Sequence, residues 1–352
     1  MPDASRARPR VIAIVGPTAV GKSAAAEGLA LECSGEVVSA DSMQVYRGMG
    51  IGTAKEPLTK RLVPYHCVDV ADPGTAYSAA LFQRDARSAI EEIARRGLLP
   101  VVAGGTGLYV RAVLDDLVFP AGQNAGAARR EIEADLERLG PTGLHSLLAE
   151  RDPASAGVIH PNNTRRVVRA LEMLAVDGVS YAEQSAGLSE RRPFYPAVLV
   201  GLTMERSALY GRIEQRVDAM LEAGLLEEVR GLLDAGYRGA LTAAQAIGYK
   251  ELVPVLEDGA DLEAAVAAIK QATRRYAKRQ LTWFRADPRV RWIDVTELSH
   301  GQTVDAVRAL VESDAERGRG APPPGGPPRH SEEGAWTCTS PRCTAAATTS
   351  SS

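Results

Sequence analysis

The sequence predicts an α/β fold, a P-loop NTPase-like parallel sheet flanked by helices, with an all-helical lobe inserted into it. Three observations predict it. The apolar run VIAIV leads into GPTAVGKS, residues 16–23, and then into the alanine-rich AAAEGLALE, the strand-loop-helix frame of G-x-x-x-x-G-K-[ST]. Short β-rich runs then alternate with helical patterns as far as residue 103, as a parallel sheet requires. From about residue 120 to 196 the strand signal vanishes between proline and glycine breaks, and it returns with AVLVGL.

Taken in order, residues 11–15 form the first strand, and the loop after them presents backbone N–H groups and a helix N-terminus to an anionic phosphate. The loop alone does not say whether that anion belongs to a nucleotide. Residues 36–39 and 66–70 read as the next strands, and Cys67 packs within the second of them. SAALFQRDARSAIEEIARRG, residues 78–97, is a crossover helix with apolar residues at helical spacing and a terminal glycine, after which the sheet resumes at 99–103. Helices such as ARREIEADLERLG and TRRVVRALEMLAVDG fill the lobe. A strand at 197–202, a helix carrying Arg206, Arg212 and Arg216, and WIDV near Trp292 return the chain to its first domain. The expected organisation is a disordered leader at 1–10, a discontinuous core at 11–120 and 196–313, a helical insertion at 121–195 and a disordered tail at 314–352. The tail's proline, glycine, serine and threonine runs carry no periodic apolar pattern.

Bulk properties exclude some classes and leave others open. The 352 residues, with 45% apolar, supply ample core for one large or two modest domains. A net charge of −3 argues against a uniformly basic nucleic-acid coat, although a local basic strip still binds phosphate backbones within a Debye length. Cys33, Cys67, Cys338 and Cys343 form neither a C-x-x-C pair nor a secreted disulfide framework, which predicts a reducing cytoplasm. Spacing and context at Cys338 and Cys343 are poor for zinc. No apolar run approaches the roughly 20 residues that span a bilayer, and MPDASRARPR lacks the hydrophobic segment of a signal peptide, so no membrane association is expected. No heptad run requires a partner, and a monomer is expected.

A P-loop most often serves ATP or GTP, yet much of an NTPase is missing. There is no N-K-x-D tetrapeptide and no apolar strand ending in paired acidic residues. Instead EVVSA delivers ADSMQVYRGM, which puts Asp41 at the carboxyl edge of the sheet, where a bound phosphate would point. Asp41 has two readings, a magnesium-associated or helix-capping carboxylate, and a general base facing an acceptor.

GPTAVGKS, DSMQVYRGMGIGTAK, VPYHCVDV, GGTGLY, HPNNTRRVVRALE, AIGYKE and KRQLTWFR, in this order, resemble the bacterial tRNA dimethylallyltransferase family. The resemblance spans roughly residues 11–295, leaves the leader and tail outside, and covers the insertion only in its C-terminal part. It implies transfer of a dimethylallyl group from dimethylallyl diphosphate to N6 of the adenine at position 37 of tRNA, with Mg2+ and release of diphosphate. Ser23 stands where many members carry threonine, a change that keeps the hydroxyl.

The residues can be read for that chemistry. A prenyl diphosphate presents the same two-phosphate anion that a P-loop grips in a nucleotide. The donor's binding set is then Gly16, Pro17, Thr18, Ala19, Val20, Gly21, Lys22 and Ser23, with Lys22 stabilising the leaving diphosphate and Ser23 reaching the metal. Arg212 and Arg216, four apart on one helical face, either clamp the diphosphate from the far side or form a solvated face paired with Glu214 or Asp218. The acceptor N6 must lose a proton as it attacks, and Asp41 is the candidate to take it. Ser42, Met43 and Gln44 resemble the family's tRNA-contacting stretch, where a Gln amide suits an adenine edge and Met43 is equally plausible as packing. The resemblance places Thr106, on its glycine-rich turn, near the tRNA.

A base in an anticodon loop must be extruded from its stack, and contacts to the anticodon stem-loop backbone should offset that cost. KQATRRYAKRQLTWFR, residues 270–285, carries no acidic residue. On a helical wheel Lys270, Arg274, Lys278 and Arg285 share one arc extended by Arg275 and Arg279, while Ile269, Ala272, Tyr276, Trp283 and Phe284 fall opposite. The expectation is a helix docked by its aromatic face with a cationic face toward RNA, against the alternative of a merely soluble basic helix. Arg165, Arg166 and Arg169 form a second cluster, where the family contacts tRNA. Two other classes compete with the prenyltransferase: a small-molecule P-loop kinase, which needs a lid and no RNA-sized basic surface, and a non-catalytic RNA-binding module, in which Asp41 is dispensable.

Overall fold

The computed structural model describes residues 8–119, 125–237 and 243–320. The expected C-terminal cysteines and the end of the tail lie outside these residues, as does most of the leader. The polypeptide divides into two compact units, residues 1–114 with 195–352, and residues 115–194.

The first unit is built on a wholly parallel six-stranded sheet of order β3-β2-β4-β1-β5-β6. Its strands are β1 (Val11–Val15), β2 (Gly35–Ser39), β3 (Tyr65–His66), β4 (Leu99–Gly104), β5 (Ala197–Thr203) and β6 (Val290–Asp294). The central strands are buried on both faces and read as continuous apolar runs for that reason, with every residue of β1 inaccessible. The core packs Ile12, Ile14, Val101 and Val200 of the sheet against Leu29 of α1 (Lys22–Glu32), Ile213 of α8 (Arg206–Glu222) and Val307 of α12 (His300–Gly320). On the other side, α2 (Ala79–Arg95) buries Phe82, Ile90 and Ile93, and Phe82 stacks on Tyr109 of α3 (Gly107–Leu114). Ser78 caps α2 by accepting from the Leu81 N–H, as Ser at that position should.

β3 is shorter than the expected 66–70. Cys67 and Asp69 take left-handed backbone angles, φ 60° and 58°, which no strand accommodates, and the chain leaves the sheet. Cys67 is nevertheless buried, and burial pushes its thiol up to about 12. The N–H groups of Asp69 and Val70 donate to the carbonyls of Gln44 and Val45, so this segment lies along the loop that follows Asp41.

The second unit is helical. It comprises α4 (Ala125–Arg151), α5 (Pro153–Val158), α6 (Thr164–Asp177) and α7 (Tyr181–Ser189). α4 breaks at Gly140, φ 69°, just before Pro141. Its core is Ile132, Leu144, Leu148, Ile159, Val167 and Leu171. Asn163 caps α6 and Gly178 ends it in a left-handed turn.

The remaining helices of the first unit are α9 (Leu225–Asp234), α10 (Tyr249–Glu257) and α11 (Leu262–Arg285). α12 continues to Gly320, so the disorder expected from residue 314 does not begin there. Arg10 explains part of this, since it donates to the Val311 carbonyl at 3.1 Å and pairs with Asp314 at 3.5 Å, tying the last residue of the expected leader to the helix.

Candidate active site

The three loops that leave β1, β2 and β4 meet at the carboxyl edge of the sheet because those strands are adjacent, with β4 between the other two. This is the crevice where open parallel sheets take their ligands. The β1 loop turns at Gly16, φ 145°, where a side-chain carbon would come within 2.5 Å of the Leu202 carbonyl oxygen, so only glycine fits. Gly16, Pro17 and Val20 are buried, Thr18 and Ala19 are half-buried, and Gly21 and Ser23 are exposed at the mouth. α1 begins at Lys22, so its first N–H groups have no intrahelical acceptors and point at the loop.

Lys22 bends back to donate to the Pro17 carbonyl at 2.5 Å. Burial pushes its ammonium down to about 7; Arg216 adds to the fall and Asp41 opposes it. Arg216 itself is lowered by burial and held up by Asp41. The cation of the loop, the cation of α8 and the carboxylate of the β2 loop therefore lie close enough for Asp41 to act on both cations. Arg212 is exposed one turn earlier. Neither arginine has the expected partners Glu214 and Asp218, which pair instead with Arg274 and Lys270 of α11, at 2.5 and 2.6 Å.

Asp41 anchors its own loop with one oxygen. Oδ1 accepts from the N–H groups of Met43 (2.9 Å) and Gln44 (3.4 Å), an Asx-type turn, and among the described residues nothing donates to Oδ2. Thr106 closes the other side. Its hydroxyl oxygen accepts from the Ser42 N–H at 3.1 Å, and it donates to the Ser42 hydroxyl at 3.3 Å. Gln44 turns inward: the Ser39 hydroxyl donates to its Oε1 at 2.8 Å and its Nε2 donates to the Thr53 carbonyl at 3.2 Å. One N–H and one lone pair of that amide remain for a ligand. Met43 is half-buried beside it.

α11 departs from its expected form. Lys270 and Arg274 are half-buried rather than free in solvent, because α8 runs alongside and pairs with them; Lys278, Arg279, Arg275 and Arg285 are the exposed cations. Arg279 lies over the Tyr276 ring, 5.6 Å from its centroid. Trp283, expected on the docked face, is 46% exposed, and the buried stripe is Ile269, Ala277, Gln280 and Phe284. In the helical unit Arg165, Arg166 and Arg169 are exposed on α6, and Arg169 approaches Glu172 at 3.6 Å.

Gln280 and Glu228 escaped the sequence reading, which places Tyr276 only as part of the docking face. Gln280 is 5% exposed; its Oε1 accepts from the Thr18 N–H at 2.8 Å and its Nε2 donates to the Gly105 carbonyl at 3.0 Å. Tyr276, one turn earlier, is pushed up to about 12 by burial and by Asp41, with the side chains of Thr106 and Gln280 acting the other way. Glu228 of α9 accepts from the N–H groups of Gly50, Ile51 and Gly52. A polar residue on the buried stripe of a basic helix was the available signal for Gln280. Among the described residues no cluster of His, Cys, Asp and Glu could hold a metal ion.

A P-loop cradle, a carboxylate at the next strand end and a threonine on the third loop define a group-transfer enzyme acting on a phosphorylated donor. A family model described as IPP transferase matches residues 44–287, and one described as isopentenyl transferase matches residues 9–63. The chain belongs to the IPP transferase family. It is 49% identical over 288 residues to tRNA dimethylallyltransferase 2 of Syntrophus aciditrophicus, covering 82% of this chain and 92% of that protein. It is 48% identical over 289 residues to tRNA dimethylallyltransferase of Geobacillus kaustophilus, covering 82% and 91%. Among solved structures, the tRNA isopentenylpyrophosphate transferase of Staphylococcus epidermidis superposes with a TM-score of 0.64 at 39% identity, over 87% of this chain and 100% of that one. A eukaryotic dimethylallyltransferase captured acting on tRNA superposes with a TM-score of 0.73 at 32% identity, over 88% and 80%. No helix among the described residues is long and apolar enough to cross a membrane.

Proposed function

We propose that this chain transfers the dimethylallyl group of dimethylallyl diphosphate to N6 of adenosine 37 in tRNA, in the cytoplasm, giving N6-isopentenyladenosine and diphosphate. One observation carries the reading: the P-loop and the Asp41 loop leave the strands on either side of β4 at one edge of the sheet, and Asp41 acts on the charges of both Lys22 and Arg216, so an anion cradle and a carboxylate stand near one another. In an ATP-directed P-loop the second position would serve a metal and a phosphate; here one oxygen of the carboxylate holds the turn and, among the described residues, nothing donates to the other.

The allylic C–O bond breaks with its electron pair going to the diphosphate, and positive charge spreads over the allyl carbons. Lys22, Arg216 and the loop N–H groups hold the developing anion, each such contact contributing on the order of 2 to 4 kcal/mol. The N6 lone pair forms the new C–N bond, and the proton that N6 thereby makes acidic passes to Oδ2 of Asp41. Thr106 holds the Ser42 end of the Asp41 loop, and Ser42, Met43 and Gln44 form the floor on which the extruded adenine rests. Arg212, exposed beyond Arg216, serves the outer phosphate.

An oxygen-only set of Ser23 and the donor's phosphates suits Mg2+, which takes most of its ligands from phosphate and water rather than from a protein cage. When bound, it adds charge stabilisation at the leaving diphosphate. Lys278 and Arg279 on α11 and Arg165, Arg166 and Arg169 on the helical unit bind the backbone of the anticodon stem-loop.

Mass spectrometry of unmodified tRNA incubated with the protein, magnesium and dimethylallyl diphosphate tests this. A five-carbon addition to adenosine 37, with diphosphate released in equal amount, is the expected result; ATP consumption with no change in the tRNA defeats it.

A further inference from the structure

The sheet sets the spacing of the P-loop and the Thr106 turn only up to its edge. β1 and β4 pair in register from Ile12 opposite Val101 to Val15 opposite Gly104, and there the ladder stops. One residue further on one strand and three on the other, the Gln280 amide takes over: Oε1 receives the Thr18 N–H of the P-loop and Nε2 donates to the Gly105 carbonyl of the Thr106 turn. Both ends of a planar, buried amide are thus committed to the backbones of the P-loop and of the Thr106 turn, and that turn holds the Asp41 loop through the bond from the Ser42 N–H to Thr106. A bond from each end fixes a distance rather than stabilising either loop by itself.

Gly105 has the matching shape. A side-chain carbon there would sit 2.0 Å from Nε2 of Gln280, so the close approach exists only because residue 105 is glycine. The helix that brings Gln280 in is itself pinned, through Lys270 to Asp218 and Arg274 to Glu214 of α8, the helix of Arg216. Thr18 has a second lesson. Its N–H is already used, so it is not one of the loop donors available to a phosphate.

We propose that Gln280 is a positioning residue that sets the distance between the donor cradle and the acceptor carboxylate. It touches neither reactant. The inference rests on the prenyl transfer proposed above and goes beyond it by naming what holds the two half-sites in register.

The test separates register from binding. In Gln280→Met the shape is kept and both bonds are lost; in Gly105→Ala the amide is pushed away while Gln280 remains. For both variants and the parent protein, donor affinity is measured by calorimetry with dimethylallyl diphosphate alone, tRNA affinity by filter binding, and chemistry by the single-turnover rate at saturating levels of both. Misplacing well-oriented reactants by about 1 Å costs on the order of 10²-fold in rate. The expected outcome is a single-turnover rate down by about 10- to 100-fold in both variants, with each dissociation constant changed by less than about three-fold. Parental rates in either folded variant overturn the proposal, and so does a variant whose loss is entirely in donor or tRNA affinity. If Gln280→Met does not fold, Gly105→Ala decides alone; if neither folds, Gln280 is a structural residue and the proposal is overturned. A parent that makes no prenylated tRNA sinks the proposed function itself, whereas an active parent with equally active variants sinks only the role of Gln280.

Discussion

Tyr249 donates its hydroxyl to Oε1 of Glu228 across 2.6 Å, and the same carboxylate accepts the N–H groups of Gly50, Ile51 and Gly52 at 2.9, 2.8 and 3.2 Å. An anion-binding concavity of backbone amides is here filled by the protein's own carboxylate. The loop so held returns through Thr53, whose carbonyl receives the Gln44 amide. Burial and the Glu228 charge together push the Tyr249 phenol well above its usual range, so it donates at every working pH.

Glu228→Leu should therefore strand several backbone donors at once and lower stability by about 2 to 4 kcal/mol. Tyr249→Phe removes one bond and should cost about 1 kcal/mol. Urea unfolding of the two variants checks the order. Equal costs would mean that the carboxylate does not organise the loop.

Asp41 has separable duties, one oxygen for the turn to Met43 and Gln44 and one to which, among the described residues, nothing donates. Asn at this position keeps an oxygen for the turn but cannot accept a proton. Asp41→Asn should leave dimethylallyl diphosphate binding nearly unchanged and lower turnover by about 10² to 10⁴-fold. Asp41→Ala, which loses the turn as well, should also loosen tRNA binding. Steady-state prenylation with calorimetry on the same samples distinguishes them, and a fully active Asn variant removes Asp41 from the chemistry.

What was legible in the sequence was what is local. Residues 16–23 and Asp41 follow strands directly, so the strand pattern alone put them at the carboxyl edge of the sheet. The wheel of α11 gave angles but not neighbours, and it could not know that α8 would supply Asp218 and Glu214 to Lys270 and Arg274. Gln280 lies 262 residues from Thr18 in the chain, and nothing near either residue announces the bond. The end of β3 was misjudged for a different reason, since apolar composition at 66–70 says nothing about the positive φ of Cys67 and Asp69.

Lys22 carries a pH dependence whose sign follows from its environment. Its folded pKa of about 7 lies below the ordinary 10.5, so the unfolded chain holds more protons between those values and this residue's contribution to stability grows as pH rises through that window. Donor binding runs the other way. A diphosphate favours the ammonium, so binding takes up a proton above pH 7, and affinity should weaken by up to about ten-fold per pH unit until the pKa of the complex is reached. Calorimetry at pH 8 in two buffers of different ionisation enthalpy should show the uptake, and Lys22→Met should abolish it along with most of the affinity. A parent protein that binds the donor without proton exchange would contradict the assigned state of Lys22.

The cations of α11 fall into two groups that respond differently to salt. Lys278 and Arg279 are exposed and have no carboxylate partner among the described residues, whereas Lys270 and Arg274 are engaged with α8. Each phosphate contact contributes close to one unit to the slope of log affinity against log salt. Lys278→Ala combined with Arg279→Ala should weaken tRNA binding and flatten that slope by about 2 units, with little effect on donor affinity. Lys270→Ala combined with Arg274→Ala should leave the slope near its parental value and lower stability by no more than about 1 kcal/mol per pair, because ion pairs this open to solvent contribute little. Filter-binding titrations from low to moderate salt read both effects; if the second pair flattens the slope as much as the first, RNA reaches the side of α11 that packs on α8, and the division of its cations is wrong.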